Sequence, residues 1–143
     1  MSEVTQIRFI KNEGNAIQIC DYSDNTHPNA VIPELYDFFK WYYSEPNSRQ
    51  GDYPDYVVAN FIYYEKKKLS EYGNGEEKLG YGIEKLGDLD GEEEYIYEVD
   101  LTDAEKPEEI KIRYSDDFKS FSKAKWHPWT TLGKFMAKLL ANQ

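Results

Sequence analysis

Carboxylates are the residues in this chain best placed to do chemistry. From Asp88 to Glu109 there are eleven, relieved only by Lys106. Side chains alternate across a strand, so Glu94, Glu98 and Asp100 would share one outward face, with Asp90 and Glu92 at its start. Such an array resembles the phosphate spacing of a nucleic acid, and these five residues are the candidate partner-binding set. The competing reading is a solvated sheet face whose charges oppose edge-to-edge aggregation. A calcium loop is excluded by spacing. With Asp88 as the first ligand, the obligatory glycine should stand sixth and a glutamate twelfth, whereas Gly91 falls fourth and Val99 twelfth. Asp90-Gly91 therefore reads as a tight turn.

His27 and His127 are the only histidines, and nothing in the sequence brings them together. Each reads as structural, with His127, between Trp126 and Pro128 at an expected helix start, in a packing role. Cys20 is the single cysteine, which rules out an intrachain disulfide and a cysteine-based zinc site, and its position beside a strand suits a small buried residue. Two polar loops could hold a small ligand. The first carries Tyr22, Asp24 and His27. The second carries Arg49 with Gln50 and Asp52, and Arg49 is a lone guanidinium able to receive a phosphate or carboxylate. The plainer reading of Arg49 is a surface ion pair. The chain has no Gly-x-Ser-x-Gly elbow, no Gly-x-x-x-x-Gly-Lys phosphate loop and no dinucleotide fingerprint. No catalytic residue, cofactor or metal is therefore assigned, although general acid-base chemistry by some carboxylate pair stays open.

The elements that must position these groups can be read from periodicity. Ile7 and Phe9, then Ile17 and Ile19, predict strands over about Thr5 to Ile10 and Ala16 to Asp21 around a turn-rich segment. Val31, Leu35, Phe38, Phe39 and Tyr42 recur at helical spacing and predict a helix from about Val31 to Tyr43. The stretch Tyr56 to Tyr64 has strand-like composition, but Val58, Phe61, Ile62, Leu69 and Tyr72 continue a helical stripe up to Gly73, so a second helix is expected. Three alternating runs follow: Leu79, Tyr81 and Ile83; then Tyr95, Tyr97, Val99 and Leu101; then Ile110, Ile112 and Tyr114. They predict an antiparallel meander. Trp129, Leu132, Met136, Leu139 and Leu140 form one apolar stripe of a last helix, from about Trp129 to Ala141, expected to be buried against the domain or a second copy of the chain.

The expected fold is thus α+β in one domain over residues 1–143. A largely antiparallel sheet of about five strands, in the chain order ββααβββα, would carry two helices on one face. The core would span about residues 5–114, and residues 115–143 would form a basic helical extension.

Composition bounds function further. The 143 residues carry a net charge of −10, which disfavours direct binding to nucleic acid and favours basic partner surfaces. The charge is segregated, because five Lys against Asp116 and Asp117 give +3 from Ser115 onward and leave −13 before it. Aromatic residues make up 16% of the chain and predict an aromatic-rich core. No stretch approaches the ~20 apolar residues of a membrane span. With no signal-like N-terminus, the expectation is a protein of the cytoplasm, or of the host cytoplasm if phage-encoded.

Several segments, in order, resemble an uncharacterised family of small phage and bacterial proteins over about residues 5–114. These are the loop ending His27-Pro28, the helix from Pro33 to Trp41, Ala59 to Tyr64, Leu79-Gly80-Tyr81-Gly82-Ile83 and Glu94 to Val99. What the resemblance implies is a phage or mobile-element setting, where small acidic proteins act as inhibitors of host defence. The leading expectation is therefore a non-enzymatic, anti-CRISPR-like interaction protein. It would act as a DNA mimic toward the basic surface of a host nuclease or other nucleoprotein complex. The alternatives are a small-ligand or nucleotide-signal binder, an enzyme of unrecognised type and a virion component.

Overall fold

A computed structural model of the chain describes residues 3–12, 14–23, 25–44, 53–72 and 80–142. Strands β1 (Glu3–Lys11) and β2 (Asn15–Ser23) form the expected hairpin. Helices α1 (Pro28–Ser44) and α2 (Pro54–Tyr72) follow, then β3 (Tyr81–Glu84) and β4 (Glu93–Asp100). A single 3-10 turn at Pro107–Glu109 leads into β5 (Lys111–Ser115), a two-residue β6 (Thr130–Thr131) and α3 (Leu132–Ala141). The ambiguous Tyr56 to Tyr64 segment is helical, as its stripe required. Helix α1 starts three residues earlier than its apolar spacing, because the His27 carbonyl accepts from the Ala30 and Val31 amides and Pro28 opens the first turn.

The fold is α+β with a largely antiparallel sheet, but it has six strands in the order β3-β2-β1-β4-β5-β6, and the predicted meander is not what the second half forms. β4 inserts beside β1, parallel to it, with Ile7 opposite Tyr97 and Phe9 opposite Val99. β3 pairs instead with β2 at the sheet's edge. The physical reason lies in side-chain burial. β4 buries Ile96, Tyr97, Glu98 and Val99 in succession, as a strand covered on both faces must. The four-residue β3 leaves Ile83 68% exposed and is short enough for an edge. Gly80, just before β3, is needed because a Cβ there would stand 2.5 Å from the Tyr22 carbonyl oxygen. Leu79, predicted on this strand, lies outside the described residues, as do Gly73 to Gly75.

Face by face, the sheet is two-sided in character. Ile7, Phe9, Ile19, Tyr97, Val99 and Ile112 point to the helices and meet Leu35, Phe38, Phe39, Val57 and Phe61 in one core. Phe38 lies within 5.1 Å of Phe61 edge-on and 4.9 Å from Phe39, so aromatic edges and faces fill the layer as the composition foretold.

The C-terminal part is no appendage. Leu132 is fully buried in the same core, and its amide bonds to the Ile110 carbonyl. Among the stripe residues, Met136 and Leu139 are half-buried, while Trp129 is 39% and Leu140 61% exposed. The difference follows from the helix starting at Leu132, so that Phe135 rather than Trp129 packs on the core. No described helix is long and apolar enough to cross a membrane.

Candidate functional site

The helix-facing side of the sheet holds a group of polar side chains where the sequence pattern calls for hydrophobes. Asp21 continues the inward phase of Ile17 and Ile19 on β2 and is buried. Directly across the strand pair stands Tyr81 on β3, beside the Asp21 carboxylate. Glu34 comes down from α1, and Glu65 and Lys68 from α2, one helical turn apart. Lys68 donates to Glu34, and its Nζ is 4.0 Å from Glu65 Oε2. Asp21, Glu34 and Tyr81 edge a cavity of about 300 Å³ whose other walls include Ile7, Leu35 and Phe61.

The charge states in this group follow from burial. The Glu65 side chain is only 10% exposed, and its Oε1 is buried without a hydrogen-bond donor. Ionisation there is costly, and the neighbouring Glu34 adds repulsion, so the Glu65 carboxyl is pushed up to about 8. Burial and the neighbouring Glu34 thus both favour the protonated form of Glu65. Burial also opposes ionisation of Glu34, but the hydrogen bonds from Glu65 and Lys68 outweigh it and hold that carboxyl below its ordinary value. Burial, then Asp21 and Glu65, raise the Tyr81 hydroxyl well above its usual range, so it stays a donor. The outcome is a cluster of Glu34 and Lys68, both half-buried, with the buried Glu65, beside a second pair, Tyr81 and Asp21. Among the described residues no three His, Cys, Asp or Glu are grouped to hold a metal ion.

The residues singled out from sequence lie elsewhere. Glu98 does not face solvent: it is buried, with Arg8 Nη1 at 3.3 Å from its Oε2 and Arg113 Nε at 2.8 Å from its Oε1. The face assignment was right but the exposure was not, because the segment between β5 and β6 folds back over that face and buries Phe121. Glu94 is exposed and Asp100 half-buried, the latter accepting from the Thr102 amide. Asp90 and Glu92 sit in the turn before β4. There Asp90 Oδ1 accepts from the Glu92 amide, Glu93 accepts from the Asp90 and Gly91 amides, and Gly91 has φ of +91°. These acids thus hold their own loop together and do not compose one face.

Of the loop candidates, Tyr22 is exposed on the face opposite to His27, so the sheet separates the two. His27 Nδ1 accepts from the Asn29 amide at the start of α1, and its ring meets Tyr95 edge-on at 5.6 Å. Asp24 and Arg49, with Gln50 and Asp52, lie outside the described residues. His127 stacks on Tyr114 at 4.4 Å yet stays exposed, with its Nε2 3.6 Å from Asp116 Oδ1. Cys20 is buried, and burial pushes its thiol up to about 11.

Comparison of the chain with protein-family models, with curated proteins and with solved structures returns no match.

Proposed function

We propose that this is a non-enzymatic binding protein whose cavity between α1 and the sheet takes a small ligand with an apolar body and a cationic or donor-rich head. The observation that carries this reading is the pair of carboxylates, Asp21 and Glu34, at the edge of a pocket whose walls also include Ile7, Leu35 and Phe61, beside the polar Asn25 and Tyr81. Pockets of this kind place a few fixed polar groups on an apolar lining, the former for orientation and the latter for affinity. Acceptor groups select an ammonium, guanidinium or amide donor and reject phosphate. Calorimetric titration with propylamine, 1,4-diaminobutane and benzylamine tests it. Binding that strengthens with the apolar body and falls at least tenfold in Asp21→Asn supports the reading. No heat with any amine at millimolar concentration, or equal binding by the variant, refutes it.

A second reading keeps the acidic interaction protein, an inhibitor of phage or mobile-element origin docking on the basic channel of a host nuclease or similar complex. What supports it is the exposure of Asp103, Glu105, Glu108 and Glu109 in one short stretch. Asp88, Asp90, Glu92 and Glu94 are exposed at the other end of β4, roughly 25 Å away at ~3.3 Å per strand residue. Under this reading the two acidic ends dock, and Glu98 between them does not. Charge reversal of Glu105, Glu108 and Glu109 would then slow association with a basic nucleic-acid-binding partner and flatten its salt dependence. Unchanged association at every salt concentration would exclude it.

A further inference from the structure

The sheet face turned away from the helices holds a site of opposite chemistry, independent of the carboxylate cavity. Arg8 on β1 and Arg113 on β5 flank Glu98 on β4, all three in register across the strands. Aromatic rings hold the planes of both guanidiniums. Phe121 lies 3.9 Å from Arg8, and Trp126 and Trp129 lie 4.3 and 4.5 Å from Arg113. Stacking of this kind covers the faces of a guanidinium and leaves its N–H edge as the reactive side.

The donor count is unbalanced. Each guanidinium has five N–H donors, and three from the pair are spent on Glu98. Among the described residues neither arginine has another hydrogen-bond acceptor, and Arg8 Nε is buried with none at all. Two guanidiniums against one carboxylate also leave local positive charge in a chain of net −10. An open pocket of about 410 Å³ lies against both arginines, with Ser120, Ser122 and Trp126 on its walls. The serines form a turn in which Ser120 Oγ accepts from the Lys123 amide and lies 3.2 Å from Ser122 Oγ, so two hydroxyls stand together at the pocket.

We propose that this pocket binds an oxyanion borne by a small ligand, a phosphate monoester or a carboxylate, with Arg8 and Arg113 donating and the Trp126 ring supporting the rest of the molecule. Fixed, edge-on guanidiniums with unspent donors match the planar oxygens of such groups, and hydroxyls supply further donors. The acidic surroundings then select: a small anion can enter, while an extended polyanion is repelled.

The test uses the full chain at constant ionic strength, with tryptophan emission and calorimetry as paired readouts. The probes are inorganic phosphate, acetate and adenosine monophosphate. A saturable emission change with half-saturation near or below ~1 mM is expected for at least one class. Phosphate active with acetate silent identifies the phosphate group as the ligand's anion, and the reverse identifies a carboxylate. If Trp126 is the platform, the nucleotide binds about tenfold more tightly than phosphate alone. Arg113→Lys keeps the charge and the Glu98 pair but loses the fork, and should weaken binding about tenfold. Because changes at Arg113 can unsettle the fold, Ser122→Asp is the second variant. It sets a competing carboxylate at the pocket without touching the ion pairs, and should abolish binding while the melting temperature holds. No saturable signal up to ~10 mM of any probe, or undiminished affinity in Ser122→Asp, overturns the proposal.

Discussion

Replacing Glu65 by Gln should remove a pH dependence that this one side chain imposes on stability. In the folded chain its carboxyl titrates near 8 against an ordinary value of 4.5. A proton held more tightly in the folded state stabilises it. That contribution is complete below about 4.5 and is lost as pH rises through about 8. The full gap, at about 1.4 kcal/mol per pH unit, sets a ceiling near 5 kcal/mol. Glu34 shares the same proton and shifts in the opposite direction, so the net effect is smaller, roughly 2 kcal/mol. Gln has the shape of protonated Glu65 and can donate to Glu34 in the same way, so at pH 5 the two proteins should be nearly equal in stability. By pH 9 the native chain should fall behind by roughly 2 kcal/mol, about 6 °C in melting temperature for a domain of this size. Urea denaturation of both proteins from pH 5 to 9, followed by circular dichroism, measures the difference directly, since every titrating group outside the coupled Glu34 and Glu65 cancels. A difference that stays constant across that range would refute the assignment of a proton to Glu65.

Other consequences of the packing are open to the same kind of measurement. Glu98→Ala leaves Arg8 and Arg113 without their shared carboxylate in a half-buried site and should cost about 3 kcal/mol by chemical denaturation; a loss under about 0.5 kcal/mol would mean that the pair is solvated. Leu132→Ala should cost about 3 kcal/mol because Leu132 is fully buried, whereas Leu140→Ala, at a 61% exposed position, should change stability by less than about 0.5 kcal/mol. Equal effects would place α3 off the core. The Cys20 thiol should resist a disulfide reagent at pH 8 in the native chain and react once urea unfolds it, so rapid native labelling would contradict its burial.

The fold was legible where periodicity was strong. Ile7, Phe9, Ile17 and Ile19 gave the hairpin, and the stripe from Val58 to Leu69 outweighed the strand-like composition of α2. The order of elements along the chain was legible too, but the lateral pairing of β3 and β4 was not, because the partner of β1's second edge depends on which later strand is apolar on both faces. Glu98 disguised that property in β4: a charge in an alternating run reads as solvent-facing unless its cations are known, and Arg8 and Arg113 are remote in sequence. The carboxylate cavity left a fainter trace. Asp21 stands in phase with Ile17 and Ile19, and Glu65 falls one turn after Phe61 and Ile62 and one before Leu69, so each is an acid at a core position. Such a misfit marks a buried polar group, but only the fold reveals that β2, β3, α1 and α2 bring the two misfits beside Glu34, Lys68 and Tyr81.

The parallel pairing of β1 with β4 also sets a timetable for synthesis. About 80 residues separate the end of β1 from the start of β4. At a translation rate of ~10 residues per second, the first strand waits some eight seconds for its central neighbour. During that interval the β1-β2 hairpin can form, but one edge of β1 has no backbone partner, and Ile7 and Phe9 lack the cover of Tyr97 and Val99. Nascent chains of this protein therefore pass through a period of exposed strand edge. Slowing the ribosome between residues 23 and 93 lengthens that period, and crowding on one message sets such edges side by side.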